Sequence, residues 1–285
     1  MIIMAPEKTK KSAIDVPVLT PVEESKIEKP VTPETNVLTV WKPKTGVGRQ
    51  VKEGSITAID EILNAGKPIL EPEITEVLLP NLSSDLLMIG QSKGKFGGGS
   101  RRVFRQTQKK TQEGNKPSFA TVAVIGNKDG FVGLGFGKAR ETVPAREKAV
   151  RKAKLSVFKV ARGCGSWRCN CKTPHSIPFT VTGKCGSVII TLMPAPKGKG
   201  LVCEKEVAKI LGLSGIQDVW SKIRGQSKNK LNVIYATIAA LKKLTSTKIS
   251  STTMDELAYH TGQLKKQSPD AATQAMPGTE APAQQ

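Results

Sequence analysis

Aromatic residues and histidine are scarce in this chain of 285 residues. Phe, Trp and Tyr make up only 4% of it, which argues against a large aromatic-lined ligand pocket. The two histidines, His175 and His260, belong to no recognisable catalytic arrangement. Residues 89–172 contain only four carboxylates, too few to indicate a two-metal nuclease. These shortages argue against an enzyme, and a metal-dependent nucleic-acid hydrolase is the one enzymatic alternative.

Long apolar runs are also missing. The longest uncharged apolar stretch, residues 231–241, is about half of what a membrane-spanning helix needs. The first residues lack the basic and apolar regions of a signal peptide. The five cysteines include three within eight positions, which fits metal binding or free thiols better than a disulfide framework. We therefore expect a soluble intracellular protein.

Basic residues are what the chain has in excess. Lys and Arg number 44 against 24 Asp and Glu, for a net charge of +20. Residues 89–172 carry 20 basic and 4 acidic side chains, and residues 173–250 carry 12 and 3, whereas both ends are slightly acidic. Such a localised surplus indicates contact with a polyanion, so nucleic acid or an anionic membrane surface is the expected partner.

Composition and turn residues divide the chain into six segments. We expect neither end to bury a core, because both mix Pro, Thr and charged or small residues without apolar periodicity. The segments are a disordered extension (1–40), a helical arm (41–88), a first module (89–163), a Cys/His loop (164–175), a second module (176–250) and a low-complexity tail (251–285).

The first module is predicted to be a β-hairpin followed by a helix. Residues 119–125 have the pattern of a buried strand, residues 126–130 that of a turn, and a second strand starts at Phe131. A helix begins near Thr142, and alanines at every fourth position would let it lie close on the sheet. Residues 155–160 fit either the end of this helix or another strand.

Three alternate glycines precede Lys138: Gly133, Gly135 and Gly137. A phosphate-binding loop is excluded, because Val132 stands where its first glycine is required and Ala139 follows the lysine instead of Ser or Thr. The glycines instead indicate a backbone that approaches something bulky. Lys138 and Arg140 would then lie near a helix N-terminus, where phosphates are attracted.

Two glycine-rich or basic stretches, residues 93–102 and 105–116, are predicted to be flexible loops that wrap a phosphate backbone. A solvated loop is the alternative for any single lysine. The candidate RNA-binding residues of the first module are Lys93, Lys95, Arg101, Arg102, Arg105, Lys109, Lys110, Lys116, Lys128, Lys138, Arg140, Lys148, Arg151 and Lys152.

A Cys-x4-Cys-x-Cys-x3-His pattern connects the two modules. Four soft or borderline ligands within twelve residues can close a tetrahedral site on Zn²⁺, and four protein ligands would make it structural. The single residue between the second and third cysteine is tighter than usual, so reduced cysteines packing a loop and a single disulfide remain alternatives. The candidate ligands are Cys164, Cys169, Cys171 and His175.

The second module alternates strands and helices, which indicates a small α/β unit. Residues 177–182 and 187–193 are predicted strands on either side of a turn at 183–186. Residues 194–200 (PAPKGKG) form a stiff basic loop, and a helix with Glu204 and Glu206 in its first turn follows and ends at Gly212. The last helix begins near residue 231.

Several ordered motifs resemble the small-subunit ribosomal protein five family. The motifs are GNKDGFVGLGFGKAR (126–140), PHSIP (174–178), GKCGS (183–187), PAPKGKG (194–200) and GIQDVW (215–220). WKPKTGVGRQVK (41–52) and the GCGSW stretch resemble the archaeal branch. The resemblance covers about residues 41–247. The chain departs from the family pattern by its extra basic residues 93–105 and by Asn115-Lys116-Pro117, where two arginines are often found.

The resemblance implies an α+β fold, with an N-terminal domain like double-stranded-RNA-binding folds followed by a small α/β domain. It implies a structural constituent of the cytoplasmic small ribosomal subunit that binds ribosomal RNA, supports assembly and contributes to translational accuracy. With that role we expect no membrane contact and no small-molecule substrate. Lys197, Lys199 and Leu201 would then lie at an interface with small-subunit ribosomal protein four. The alternative is an RNA-binding or RNA-remodelling factor that acts outside the ribosome.

Overall fold

The computed structural model describes residues 41–91 and 101–263. The extension predicted for residues 1–40, the candidate residues Lys93 and Lys95, and the tail beyond residue 263 lie outside the described residues.

Three short helices occupy residues 46–78, in the segment expected to be a helical arm. They are α1 (Gly46–Lys52), α2 (Ile59–Asn64) and α3 (Pro72–Leu78). Trp41, Ile62 and Ile74 of this arm are buried together with Phe131 and Val157, which come much later in the chain. Burial of this apolar surface holds the arm against the first module.

A five-stranded antiparallel sheet, called the first sheet, follows the arm. Its strands are β1 (Ser83–Leu87), β2 (Arg105–Thr111), β3 (Gly114–Gly126), β4 (Phe131–Ala139) and β5 (Val157–Lys159). The long strand β3 organises the sheet, because β2 pairs with its first half, β1 with its second half, and β4 with its other edge. The apolar residues 122–125 of β3, three of which are β-branched, suit such a central buried position.

Helix α4 (Thr142–Leu155) lies on one face of the first sheet, and the glycines of β4 explain how close it comes. A Cβ atom added at each glycine would lie only 2.0–2.3 Å from a carbonyl oxygen of α4. The expectation of a close backbone approach is confirmed, and the bulky group is this helix. The contacting pairs are Gly133 with Ala153, Gly135 with Ala149 and Gly137 with Ala145.

A second sheet with two helices forms the second module. After β6 (Ala161–Arg162), its strands are β7 (Val181–Cys185), β8 (Val188–Pro194), β9 (Leu201–Val202) and β10 (Val219–Arg224), in the order β7-β8-β10-β9. Only the β9–β10 pair is parallel. The helices are α5 (Lys205–Leu213) and α6 (Lys230–Ser246), and together with the sheets they make the fold α+β.

One apolar core joins the two sheets. Val122, Val124 and Val132, on the face of the first sheet opposite α4, are buried in the same cluster as Ile190 of β8 and Ile210 of α5. Successive strand residues point to opposite faces, so β3 contacts α4 with one set of side chains and the second module with the other. The relative position of the modules is thereby set by packing.

The sequence-based prediction is wrong for residues 105–116. They form β2, a tight turn and the start of β3 instead of a flexible loop. Every β2 side chain except the half-buried Thr111 is exposed, so the apolar alternation that reveals most strands is missing here. Hydrogen bonds to the neighbouring part of β3 define the strand.

Three further boundaries differ from expectation. Residues 83–87, assigned to the arm, pair with β3 as β1. The turn expected at 183–186 is shifted, because Cys185 pairs with Val188 and Gly186 takes a φ of 58° between them. Residues 251–261, assigned to the tail, form α7 (Ser251–Glu256) and β11 (His260–Thr261). Strand β11 pairs with β6, a long-range contact that local sequence patterns do not encode.

Candidate nucleic-acid interface and metal centre

A basic cleft of about 510 Å³ opens where the first sheet extends past the second module. Strands β2, β3 and β4 form one wall, and the loop before α6 forms the other. Among residues 41–91 and 101–263, no carboxylate lines it. Its cationic lining residues are Arg101, Arg105, Lys138, Lys228 and Lys230.

The register of the first sheet explains why two of these cations lie together. Ala120 of β3 pairs with Arg105 on one side and with Lys138 on the other, so all three residues share one face. Arg105 and Lys138 are both exposed on it. This face is the same one that carries the apolar core, and it becomes basic at its outer end.

Arg101 connects the two walls of the cleft. Its Nη2 donates a hydrogen bond to the carbonyl oxygen of Lys228, at 2.9 Å. The guanidinium therefore adds positive charge and also holds the loop before α6 in place. Lys230 at the start of α6 forms an ion pair with Glu204, whereas the side chain of Lys228 is exposed.

The β2–β3 hairpin brings two more candidate residues into direct opposition. Lys109 pairs with Lys116 across the strands, and Lys110 lies next to them. Like charges at paired positions destabilise a sheet. Glu113 offsets part of this through an ion pair with Lys116 at 3.1 Å, and both side chains are exposed. The hairpin end therefore keeps a surplus of positive charge.

The remaining candidate residues do not join the cleft. Lys148, Arg151 and Lys152 lie on α4, which covers the other face of the first sheet. Lys128 lies in the β3–β4 turn, about 20 Å along β4 from Lys138. Arg102 and Arg140 are exposed near the cleft's strands without lining it.

Acidic residues accompany the cations of α4. A groove between α3 and α4 contains Lys148 and Arg151, but also Glu73, Glu76 and Glu147. Glu76 forms an ion pair with Lys154 across this groove. The mixed charge makes this groove less attractive to phosphate than the cleft is.

Sequence reasoning missed Lys228 and Lys230. They precede or begin α6, more than 100 residues after β2, and nothing local distinguishes them from other surface lysines. The only available signal was the second module's own basic surplus in residues 173–250.

The four candidate metal ligands are brought together. The ligand atoms of Cys164, Cys169, Cys171 and His175 all lie within 4.8 Å of one another. Cys171 Sγ is 3.6 Å from Cys164 Sγ, and Cys169 Sγ is 3.6 Å from His175 Nε2. Ligand atoms on a tetrahedral Zn²⁺ lie roughly 3.5–3.8 Å apart, and these two contacts have that spacing. All five cysteines are free thiols, so the structure differs from the alternative of a single disulfide.

Asp218 orients the histidine of this cluster. Its Oδ2 lies 2.8 Å from His175 Nδ1, which leaves Nε2 facing the cysteines. Asp218 Oδ1 also accepts a hydrogen bond from the backbone N–H of Gly200, at 2.7 Å. A carboxylate on the far nitrogen of a ligating histidine is a common feature of metal sites. Here it also connects the cluster to the loop before β9.

The thiol pKa values of Cys164 and Cys171 are shifted in opposite directions. Burial raises the pKa of the Cys164 thiol to about 12, and the other two cysteines add to this effect. Burial also acts to raise the pKa of Cys171, but hydrogen bonds with Thr173 and the neighbouring thiols outweigh it and lower that pKa to about 6. A divalent cation would stabilise all three thiolates at once.

The residues predicted to contact a protein lie at one edge of the second sheet. Lys197 and Lys199 are exposed in the loop before β9, and Leu201 is half-buried in β9. β9 pairs only with β10 in the described sheet, and Val202 beside Leu201 is 53% exposed. An edge strand with an exposed apolar side chain is a surface suited to protein contact.

Among residues 41–91 and 101–263, none of the helices combines the length and the apolar character needed to cross a bilayer.

Two family comparisons cover the modules. Residues 103–161 match the family described as "Ribosomal protein S5, N-terminal domain", and residues 183–253 match "Ribosomal protein S5, C-terminal domain". The two matches fall on the first and second sheets, respectively.

Individual relatives extend the similarity over most of the chain. Small ribosomal subunit protein uS5 of Nanoarchaeum equitans is 51% identical over 209 residues, which is 73% of this chain and 90% of the relative. The uS5 proteins of Methanocaldococcus jannaschii and Pyrobaculum calidifontis are 43% and 46% identical, over 79% and 72% of this chain and 96% and 94% of theirs.

Proposed function

The chain belongs to the ribosomal protein S5 family, of the archaeal type, and on that premise we propose how its surfaces serve a structural constituent of the small ribosomal subunit. It is not an enzyme, and its role is architectural. The cleft and the hairpin bind ribosomal RNA, the β9 edge binds a neighbouring protein, and the Cys/His loop binds zinc. Through these contacts the chain supports subunit assembly and translational accuracy.

The observation that carries RNA binding is the cleft, which among the described residues is lined by five cations, with Lys230 paired to Glu204 just outside it. Clustered cations in a concave site focus positive potential. When RNA phosphates bind these cations, the counterions condensed on the RNA are released. The N-terminus of the 17-residue helix α6 adds the positive end of its dipole to the same wall. The cleft and the Lys109–Lys116 pair are therefore the two places where an RNA backbone is bound.

The first sheet resembles double-stranded-RNA-binding folds in one respect that supports this role. Three consecutive antiparallel strands, β2, β3 and β4, are followed directly by a helix that covers one face. Such folds recognise RNA by shape and by phosphate contacts, which needs no base-specific side chains.

The protein neighbour assigned to the β9 edge is small-subunit ribosomal protein four. Lys197 and Lys199 give this edge positive charge beside the apolar Leu201 and Val202. The hydrogen bond from Gly200 to Asp218 holds the loop in one conformation. A preformed edge loses less entropy when it binds.

Zinc is the metal proposed for the Cys/His loop. Three cysteine sulfurs and one imidazole nitrogen within 4.8 Å of one another match its preferred ligands, and a full set of four leaves no position for a reactive water. The ion would stabilise the loop between the modules.

Binding of the purified protein to small-subunit ribosomal RNA, measured between about 50 and 300 mM salt, tests the RNA proposal. We expect affinity to fall steeply with salt, and Arg105→Gln or Lys138→Gln to lower the slope of log K against log salt by about one each. Lys243→Gln, an exposed lysine near the end of α6, is the matched control. Arg151→Gln tests whether the interface also includes α4. Salt-independent binding by the wild type would contradict the proposal.

A further inference from the structure

Trp167 is the most exposed large apolar side chain of the described residues, at 85% of its surface. It lies inside the Cys/His loop, between the ligands Cys164 and Cys169. An indole that stays in water contributes no hydrophobic free energy to folding, because its apolar surface is not buried. The exposure therefore needs a reason outside the chain's own packing.

The local backbone holds Trp167 outward. The Cys169 N–H donates a hydrogen bond to the carbonyl oxygen of Ser166 at 3.0 Å, which closes a turn with Trp167 and Arg168 at its two central positions. Ser166 is buried and anchors the start of the turn. The turn sits between two thiols of the Cys/His cluster, so the cluster and the turn support the same short segment.

Arg168 lies over the indole. Its guanidinium carbon is 4.6 Å from the centre of the Trp167 ring, within the range of a cation–π contact. The arginine is itself exposed. A flat aromatic ring and a planar cation are thus presented together to solvent.

The charge around the turn selects the kind of partner. Residues 164–175 contain no Asp or Glu, and they contain the exposed cations Arg168 and Lys172. The nearby carboxylate of Asp218 is buried and hydrogen-bonded to His175. A protein partner would be favoured by further apolar side chains beside the indole, but Asn170 and Lys172 are polar. A partner with a flat ring and a negative charge fits best, and a nucleotide has both.

We propose that Trp167 and Arg168 form a stacking platform for an unpaired base of RNA, with Lys172 near its phosphate. The proposal rests on the RNA-binding function above and adds a site that recognises single-stranded nucleotides, in contrast to the backbone contacts of the cleft. Aromatic faces stack on any base, and arginine planes do the same.

The test compares two RNA probes in a binding titration. One is a blunt duplex of about 20 base pairs, and the other is the same duplex with a 3′ tail of about six adenosines. Trp167→Ala should weaken binding to the tailed probe by about fivefold or more and leave the blunt duplex unchanged. The salt dependence should stay the same, because stacking releases no counterions.

Two matched variants separate stacking from other roles of the side chain. Trp167→Tyr keeps an aromatic face and should retain most of the affinity, whereas Trp167→Leu keeps apolar bulk and should lose it. The tailed probe should also quench the fluorescence of the wild type, since Trp167 is the most accessible of its three tryptophans. An unchanged thermal midpoint for each variant shows that the fold is intact.

Equal binding of the tailed probe by wild type and Trp167→Ala overturns the platform alone. Equal losses on both probes, or full affinity in Trp167→Leu, do so as well. Wild-type protein that binds neither probe overturns both the platform and the RNA-binding function.

Discussion

Gly133, Gly135 and Gly137 determine how closely α4 approaches the first sheet. The helix contributes alanines to this contact, and each added Cβ on the strand would meet a backbone carbonyl oxygen. Backbone atoms cannot rotate away as a flexible side chain can. The small residues on both surfaces therefore act together as one close-packed contact.

Gly135→Ala is expected to destabilise the protein by about 3 kcal/mol or more. The new Cβ would lie 2.0 Å from the Ala149 carbonyl oxygen, so the helix must shift. Gly212→Ala is the matched control, since no atom lies within 4 Å of its Cβ position, and it should be stabilising by about 0.5 kcal/mol. Urea denaturation measures both, and equal stabilities would contradict the packing argument.

Asp218→Asn should weaken zinc binding about 10- to 100-fold. The amide can still contact His175 Nδ1, but it brings no negative charge to the imidazole that it orients. Competition with a chromogenic chelator measures the zinc affinity. Glu141→Gln, an exposed position before α4, is the control. If wild-type protein takes up no stoichiometric zinc, the metal assignment is wrong.

The β2–β3 hairpin is an element whose charge opposes its own stability. Lys109 faces Lys116 across the strands, and every side chain of β2 except the half-buried Thr111 is exposed. Little burial compensates for the repulsion. A hairpin of this kind is best stabilised by a bound polyanion, which links its order to RNA binding.

Lys109→Thr should stabilise the free protein by about 0.5 kcal/mol, because it removes the like-charge pair and adds a β-branched residue. The same change should weaken RNA binding and lower the salt slope by about one. Gln108→Thr, on the opposite face of β2, should leave RNA binding unchanged. Thermal unfolding and salt titrations measure the two effects. Unchanged RNA affinity in Lys109→Thr would place the hairpin outside the interface.

Local patterns in the sequence predicted those elements whose cause is local. The alanine spacing of α4 and the Cys-x4-Cys-x-Cys-x3-His spacing both correspond to the structure. Strand β2 was missed because its polar residues carry no periodic signal, and β11 because its partner β6 lies about 100 residues earlier. The cleft could not be predicted locally, because Lys228 comes next to β4 only through the packing of the two modules.

At the scale of the whole molecule, α5 connects the two sheets. Its Ile210 and Leu211 are buried in the common core, and buried Glu206 accepts a hydrogen bond from the Met88 N–H at 2.9 Å. Lys209 adds an ion pair with Asp85 of β1, at 3.1 Å. Apolar and polar contacts therefore cross the same boundary, and the width of the cleft depends on both modules being folded.

The shared core implies that both modules unfold together. Leu211→Ala removes buried apolar volume and should lower the free energy of unfolding by about 3 kcal/mol. In hydrogen exchange followed by mass spectrometry, amides of residues 122–124 in β3 and 190–192 in β8 should lose protection by the same amount. Leu70→Ala, at a side chain that is 63% exposed, should change neither segment by more than about 0.5 kcal/mol. If Leu211→Ala released β8 while β3 kept its protection, the modules would be independent folding units, and the cleft between them would be adjustable instead of preformed.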